Sequence, residues 1–178
     1  MAEYPIHHRE IVDDLLSGRF ILQSDKLFDE IKEREDFYKS FFLQSFGYTL
    51  IITQQYAYVS SDESNETLSR DISIFFAILC YELDKSGKNF LDELEYGYFE
   101  YSQIDSLFEN SSYSELIATN NKLKDSNARK NLLNDMSRRN IIEKESDDTF
   151  TITPAYKVFT EFAEEIAKSR TKDNLQKQ

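Results

Sequence analysis

Apolar side chains recur every three or four residues in several segments, a spacing that predicts amphipathic helices. A short helix is predicted around residues 11–16, and Gly18 follows it as a stop signal. A longer helix is predicted over residues 26–46, ending at Gly47. A third, around residues 68–83, is apolar over much of its circumference, which predicts that it is buried.

Two segments switch to a composition typical of β-strands. Residues 48–61, YTLIITQQYAYVSS, predict two strands joined at Gln54-Gln55, although the usual Asn-Gly turn is missing. Residues 140–153, NIIEKESDDTFTIT, predict a second hairpin with an acidic turn. Helices followed by a hairpin therefore occur twice. We predict a mainly α fold with small β-hairpin wings (α+β), arranged as tandem winged-helix domains.

The polar stretch SDESNETLSR separates the two predicted halves. We place an N-terminal winged-helix domain at residues 1–62 and a C-terminal one at residues 63–170. Residues 171–178 are expected to be a frayed tail. Four glycines and two prolines in 178 residues argue against long flexible linkers.

The composition indicates a folded, acidic protein. Apolar residues make up 40% of the chain, and the formal net charge is −12. The one cysteine, Cys80, fits a reducing compartment and a core position. The N-terminus lacks the apolar region of a signal peptide, and the longest apolar run, residues 72–81, is half of the ~20 residues that span a membrane. We expect a cytoplasmic protein with no membrane contact.

The residues that carry catalysis or bind metals are scarce. His7 and His8 are adjacent, with no cysteine or carboxylate cluster at ligand spacing. No glycine-rich phosphate loop and no G-x-S-x-G motif is present. The acidic run over residues 92–115 does not match an EF-hand loop. We expect no catalytic residue, no metal site and no cofactor, and hence a protein that is not an enzyme.

The helix predicted over residues 128–139 is unusual because it is basic. Residues 119–139 contain six basic and two acidic side chains, so this window carries +4 in a chain of −12. At 100° per residue, Lys130, Asn134 and Arg138 share the face opposite Leu132 and Met136. In a winged helix the helix before the wing enters the major groove of DNA, where Lys, Asn and Arg can hold phosphates or read bases. A merely solvated basic face is the alternative.

Four stretches of the chain resemble the MukE/MksE family, the accessory subunits of bacterial SMC (condensin) complexes. They are LLSGRFI, YAYV, ILCYELDKSG and NLLNDMSRRNIIEKESDDTFTITPAYKVF, in the family's order. The resemblance covers roughly residues 11–167. The chain lacks an extended C-terminal tail and is more similar to the compact MksE type.

The resemblance implies a homodimer that binds the kleisin subunit (MukF/MksF-like) beneath the heads of the SMC ATPase (MukB/MksB-like). It implies a nucleoid-associated role in chromosome organisation and segregation, or in defence against plasmids. It also implies that the second winged helix contacts DNA weakly, in the assembled complex. Together with the basic helix, this gives the expected DNA-binding residues: Arg129, Lys130, Asn134, Arg138 and Arg139.

The N-terminal half is rich in aromatic residues. Their combined surface is larger than one small winged helix is expected to bury. We therefore expect the homodimer interface there, at Phe37, Phe41, Tyr48, Leu50, Tyr56 and Tyr58. A free-standing winged-helix transcriptional regulator remains the alternative function. Such a regulator would bind a defined operator alone, whereas the subunit would co-purify with a kleisin.

Overall fold

The computed structural model describes residues 4–61 and 67–161. The chain divides into two compact units. One combines Met1–Ser64 with Arg138–Ile141, and the other combines Asn65–Ser137 with Ile142–Gln178. The boundary expected after residue 62 assumed contiguous domains, whereas each unit contains two separate segments of chain. The expected frayed tail lies outside the described residues.

Within residues 4–61, the first unit has three helices and three short strands. They are α1 (His8–Leu16), β1 (Ile21–Leu22), α2 (Lys26–Glu33), α3 (Glu35–Phe46), β2 (Thr49–Ile52) and β3 (Tyr56–Ser60). The helix predicted over residues 26–46 is thus two helices. Arg34 interrupts it with φ −123° and ψ 38°, although no glycine or proline marks the break. The strands form one antiparallel sheet in the order β1-β3-β2.

The first hairpin turns at Gln54-Gln55, and a threonine closes it in place of an Asn-Gly pair. The backbone N–H groups of Gln55 and Tyr56 donate to Thr53 Oγ1 at 3.1 and 3.0 Å. Thr53 also bonds to the carbonyl of Tyr56 through its own backbone N–H and through its hydroxyl. A hydroxyl that bonds to the backbone two and three residues on stabilises a turn without positive φ angles.

The second unit has the same order of elements with additional helices. They are α4 (Thr67–Lys85), α5 (Phe90–Tyr96), β4 (Tyr98–Glu100), α6 (Tyr101–Glu109), α7 (Ser114–Thr119), α8 (Ser126–Arg138), β5 (Ile142–Lys144) and β6 (Thr149–Ile152). The sheet order is β4-β6-β5, so in both units the last strand lies between the other two. The prediction of a mainly α, α+β fold with small hairpin wings is confirmed.

Cys80 lies in α4, the helix that was predicted to be buried. This helix buries a run of large apolar side chains, among them Phe75, Phe76 and Leu79. Cys80 itself is half-buried, and burial raises the pKa of its thiol to about 11. A thiol with this pKa is protonated at neutral pH and is a poor nucleophile.

Candidate nucleic-acid interface

Helix α8 is the basic helix that precedes the second hairpin. It begins where Asp125 accepts a hydrogen bond from the backbone N–H of Ala128 at 2.8 Å. Its inward face carries Arg129, Leu132, Leu133 and Met136, all buried. This spacing of three and four residues makes one stripe along the helix, and an arginine belongs to it.

Arg129 is a core residue, which contradicts its expected contact with DNA. Only 2% of the residue is exposed. Its Nε donates to Asp105 Oδ1 at 2.7 Å, and its other nitrogens donate to the carbonyl of Leu123 at 2.9 Å and to Glu109 Oε1 at 3.4 Å. The two carboxylates, both on α6, neutralise a charge that would otherwise be costly to bury. Arg129 therefore ties α8 to α6 and does not face an approaching polyanion.

Lys130 is exposed and lies beside an aromatic ring. Its ammonium nitrogen is 5.9 Å from the centroid of Tyr101, the first residue of α6. A second lysine, Lys144 at the end of β5, places its ammonium 6.0 Å from the same centroid. Lys144 also donates to Asn134 Oδ1 at 2.6 Å. The structure thus brings the predicted Lys130 and Asn134 together with Lys144, a residue that sequence reasoning missed.

The sequence contained a signal for Lys144. Within β5, side chains alternate between the two faces of the sheet, so Lys144 shares the face of the buried Ile142, whereas Glu143 lies on the other face. The net charge of the wing, which is acidic, does not reveal this alternation of faces. A lysine on the inward face of a wing, two residues from a core isoleucine, is placed to reach the preceding helix.

The remaining basic residues of this region differ in their surroundings. Arg138 is exposed at the last position of α8. Arg139 is partly buried in the first unit, where a Cβ on Gly18 would lie 3.2 Å from its guanidinium carbon. Lys122 is paired with Asp135 at 3.0 Å, while Lys124 is exposed. Lys122 and Arg129 are therefore paired with acidic side chains, and the exposed basic residues of this window are Lys124, Lys130 and Arg138.

The backbone of Phe20 forms two hydrogen bonds with the segment around Arg139 in the first unit. The backbone N–H of Phe20 donates to the carbonyl of Arg139 at 3.0 Å. The carbonyl of Phe20 in turn accepts from Asn140 Nδ2 at 2.8 Å. Asn140 has φ 59°, a left-handed conformation that asparagine tolerates better than most residues. Both backbone groups of Phe20 are thus satisfied by residues far along the chain.

The residues expected at the dimer interface mostly pack within their own unit. Leu50 and Tyr56 are buried, with exposures of 2% and 6%. Phe37, Phe41 and Tyr48 are partly buried against the core of the first unit, and Tyr58 lies 5.1 Å from Phe20 between ring centroids. The unit therefore does bury Leu50 and Tyr56, and these two side chains are not available for a dimer interface.

The first unit exposes Tyr4, Ile6 and Leu16 near its start, and two further apolar side chains at the end of α3. Leu43 is 60% exposed and Phe46 is 43% exposed. The ring of Phe46 contacts those of Phe41 and Tyr48, with centroid distances of 5.8 and 6.2 Å. We name the side chains of Phe41, Leu43, Phe46 and Tyr48 the α3 apolar patch.

A titratable group lies within the aromatic residues of the first unit. The ring of His8 stacks on Tyr4 at 4.6 Å and meets Phe41 edge-on at 4.8 Å, and its Nδ1 is buried without a hydrogen-bond partner in the described chain. Burial lowers the pKa of His8, although the nearby Glu30 opposes this effect. Burial would raise the pKa of Glu30, but hydrogen bonds from the His7 backbone and ring outweigh it, so that pKa is lowered.

The described residues contain neither a metal-binding cluster nor a helix that could span a membrane. No group of three or more His, Cys, Asp or Glu side chains is placed to hold a metal ion. No helix in residues 4–61 or 67–161 is long and apolar enough to cross a membrane.

The chain matches one family model over most of its length. The model is that of condensin complex protein MksE, and it matches residues 6–164. A search of curated proteins found no match. The matched span contains both hairpins, the α3 apolar patch and all of α8. The chain belongs to the MksE family of condensin complex proteins.

Proposed function

We propose that this protein is a non-catalytic accessory subunit of a bacterial condensin complex that binds the kleisin as a homodimer and contacts DNA in the assembled complex. The match to the MksE family over residues 6–164 carries this proposal. The kleisin is MukF/MksF-like, and the ATPase is a MukB/MksB-like SMC protein that supplies ATP hydrolysis. The complex acts in the cytoplasm on the nucleoid, in chromosome organisation and segregation or in plasmid defence.

The homodimer is proposed to form through the α3 apolar patch. Large exposed apolar side chains that lie next to one another are typical of protein interfaces, since each exposes area that association would remove from water. Leu43 and Phe46 are the most exposed members. Phe37 lies beside Phe41 with ring centroids 6.2 Å apart and can extend this surface, whereas Leu50 and Tyr56 are buried within their own unit.

DNA contact is proposed for the exposed side of α8, at Lys130, Asn134 and Arg138. Phosphate contacts by lysine and arginine give binding that tolerates sequence changes and weakens steeply with salt. The net charge of −12 repels polyanions from the isolated protein. We therefore assign most of the DNA affinity to the other subunits, and a local contribution to this helix.

Co-expression with the kleisin encoded beside it tests the core of the proposal. The two proteins should co-elute on gel filtration at a salt concentration that removes DNA, because kleisin binding by strand addition and apolar pockets is less sensitive to salt than phosphate contacts. Failure to co-elute would contradict the kleisin assignment. Tight binding of the isolated protein to one operator sequence would instead identify a transcriptional regulator.

Charge reversal tests the DNA contact within the complex. The Lys130→Glu, Arg138→Glu double variant should keep kleisin binding and lose DNA affinity on every sequence alike. Arg129 is unsuitable for this test because its replacement would disturb the core. Unchanged DNA affinity and salt dependence would show that this face of α8 is only solvated.

A further inference from the structure

Two lysines of the second unit share one tyrosine ring. The ammonium groups of Lys130 and Lys144 lie 5.9 and 6.0 Å from the centroid of Tyr101. Cations at this distance from an aromatic ring are attracted to its negative face. Since both distances are measured to one point, the two ammonium groups are at most about 12 Å apart.

Neither lysine has an acidic partner in the part of the chain that the structure describes. Three carboxylates of the neighbouring helix turns have other partners: Asp105 and Glu109 pair with Arg129, and Asp135 pairs with Lys122. Glu145, which follows Lys144 in the chain, is exposed and, among the described residues, forms no ion pair with it. Glu143 lies on the opposite face of the sheet from Lys144. Two ammonium groups without an ion-pair partner in the described chain therefore lie near one ring in a protein of net charge −12, which concentrates positive charge at this point.

The ring beneath the two lysines is held firmly. Tyr101 is 9% exposed, and its ring lies 5.6 Å from that of the buried Phe150 between centroids. The backbone N–H of Tyr101 donates to the carbonyl of Asp148 at 2.9 Å, which fixes the start of α6 against the wing. The Tyr101 hydroxyl is buried with no hydrogen-bond partner in the described chain. The tyrosine thus contributes a ring at this position, and its hydroxyl makes no bond there.

The second lysine is held as well. Asn134, one turn after Lys130 on α8, accepts a hydrogen bond from the Lys144 ammonium at 2.6 Å. A lysine side chain ordinarily loses much rotamer freedom when it binds an anion. Part of that loss has already occurred for Lys144, because the amide and the ring restrict it. Bringing two positive charges together is unfavourable, and an anion that contacts both would relieve their repulsion.

We propose that Lys130, Lys144 and the ring of Tyr101 form a preorganised clamp for the phosphodiester backbone of duplex DNA, with Lys144 as the contact from the wing. The clamp deepens the proposed function and rests on its DNA contact. Tyr101 is a positioning residue, since it orders the lysines without touching the phosphates. Asn134 is also a positioning residue, because its side chain accepts the hydrogen bond that holds Lys144. The ligand is a backbone phosphate, because lysine presents a point charge without the fork that reads base edges.

The experiment uses the reconstituted complex with the kleisin and the SMC ATPase, and a fluorescent duplex of random sequence. DNA affinity is measured against salt concentration for Lys130→Gln, Lys144→Gln and the double variant. The matched control is Lys124→Gln, which removes one exposed lysine of the same unit away from the Tyr101 ring. Each clamp variant should reduce the slope of log affinity against log salt by about 0.9, and the double variant by about 1.8. The control should leave the slope unchanged.

The outcomes separate the clamp from the proposed function. If the wild-type complex does not bind the duplex, the proposed DNA contact fails and the clamp fails with it. If the wild-type complex binds and Lys144→Gln has the wild-type slope, the clamp alone is overturned. If the lysine variants lose the kleisin and keep DNA affinity, the site binds an acidic segment of protein, which also overturns the proposal.

Variants of Tyr101 test the positioning role. Tyr101→Phe keeps the ring and should bind DNA as the wild type does. Tyr101→Leu keeps both charges, so the salt slope should stay the same while the affinity falls at every salt concentration. Because Tyr101→Leu changes a buried residue, thermal unfolding must show that the protein is folded. An equal loss of affinity in Tyr101→Phe, or none in a folded Tyr101→Leu, would overturn the role of the ring.

Discussion

The guanidinium of Arg139 lies against Gly18 in the first unit. A Cβ built on Gly18 would stand 3.2 Å from both the central carbon and one terminal nitrogen of this group. Gly18 also has φ 80°, a left-handed conformation that other residues adopt only with strain. Two of the stretches that carry the family resemblance, LLSGRFI and the segment containing Arg139, therefore meet at this contact.

Gly18→Ala should destabilise the protein more than Gly47→Ala does. Gly47, in the same unit, has φ 70° and nothing within 4 Å of an added Cβ, so it carries the left-handed penalty of about 1–2 kcal/mol alone. Gly18→Ala carries the same penalty and must also displace Arg139, at a further cost of about 1 kcal/mol. Urea unfolding of both variants gives the difference. Repeating the Gly18→Ala measurement in an Arg139→Ala background should remove it, and a difference that persists there would contradict the contact.

Arg129→Ala should cost about 1–3 kcal/mol of unfolding free energy, because it leaves the buried carbonyl of Leu123 without a donor, whereas the partly exposed Asp105 can be solvated. The variant removes the arginine donors of Asp105 Oδ1 and of the Leu123 carbonyl, while Asp105 Oδ2 keeps its bond from Ser126 Oγ. Lys130→Ala, the exposed neighbour, is the matched control and should change stability by less than about 0.5 kcal/mol. Chemical unfolding measures both. Similar small losses in the two variants would mean that Arg129 is not buried in solution.

The stability of the first unit should fall as the pH is lowered from about 7 to about 5. The pKa of His8 is lowered below its usual 6.5 by burial, so the unfolded chain takes up a proton at a higher pH than the folded one. The stability contributed by neutral His8 is therefore complete above pH 6.5 and is lost as the pH falls toward the folded pKa. The lowered pKa of Glu30 adds a second loss below its usual value of 4.5.

His8→Phe tests this pH dependence. Phenylalanine keeps the ring contacts with Tyr4 and Phe41 and cannot take up a proton. Thermal unfolding between about pH 5 and pH 8 should show a flatter profile for the variant, with similar stability of both proteins at the alkaline end. A variant that loses stability in acid as steeply as the wild type would show that another group is responsible.

Leu43→Glu should weaken the proposed homodimer. The substitution places a charge in the α3 apolar patch at a side chain that is 60% exposed, so folding of the unit should be little affected. The control is Leu91→Glu, at a leucine of the second unit that is 52% exposed. Light scattering at micromolar concentration should give twice the chain mass of 21.0 kDa for the wild type and the control. The Leu43→Glu variant should give the single-chain mass; a wild type with that mass would contradict the dimer.

The sequence predicts those helices and strands in which apolar residues recur at a regular spacing. The helices and both hairpins follow from apolar spacing, but β1 and β4 have only two and three residues, too few for a pattern of alternation. The break at Arg34 was missed because Ile31 and Tyr38 keep the same helical spacing across it. Hydrogen bonds between distant residues decide such details, and a single sequence does not record them.

The sequence predicted the outward face of α8 correctly, but its prediction that Arg129 contacts DNA was wrong. Lys130 and Asn134 lie where the helical period places them. Arg129 was misjudged because basic side chains are rarely fully buried, although it is three and four residues from the buried Leu132 and Leu133. The acids that neutralise it, Asp105 and Glu109, are themselves four residues apart on α6. This spacing of two acids is the signal that could have identified its burial.

The pairing of Phe20 with Arg139 and Asn140 limits how this protein can be divided into pieces. A fragment that ends near Ser61 would contain all six elements of the first unit, yet both the N–H and the carbonyl of Phe20 would lose their partners. Each unsatisfied buried group costs about 1–3 kcal/mol. A gene fragment for the N-terminal unit would need residues 138–141 grafted back through a short linker. The first unit therefore does not correspond to one continuous segment of the sequence.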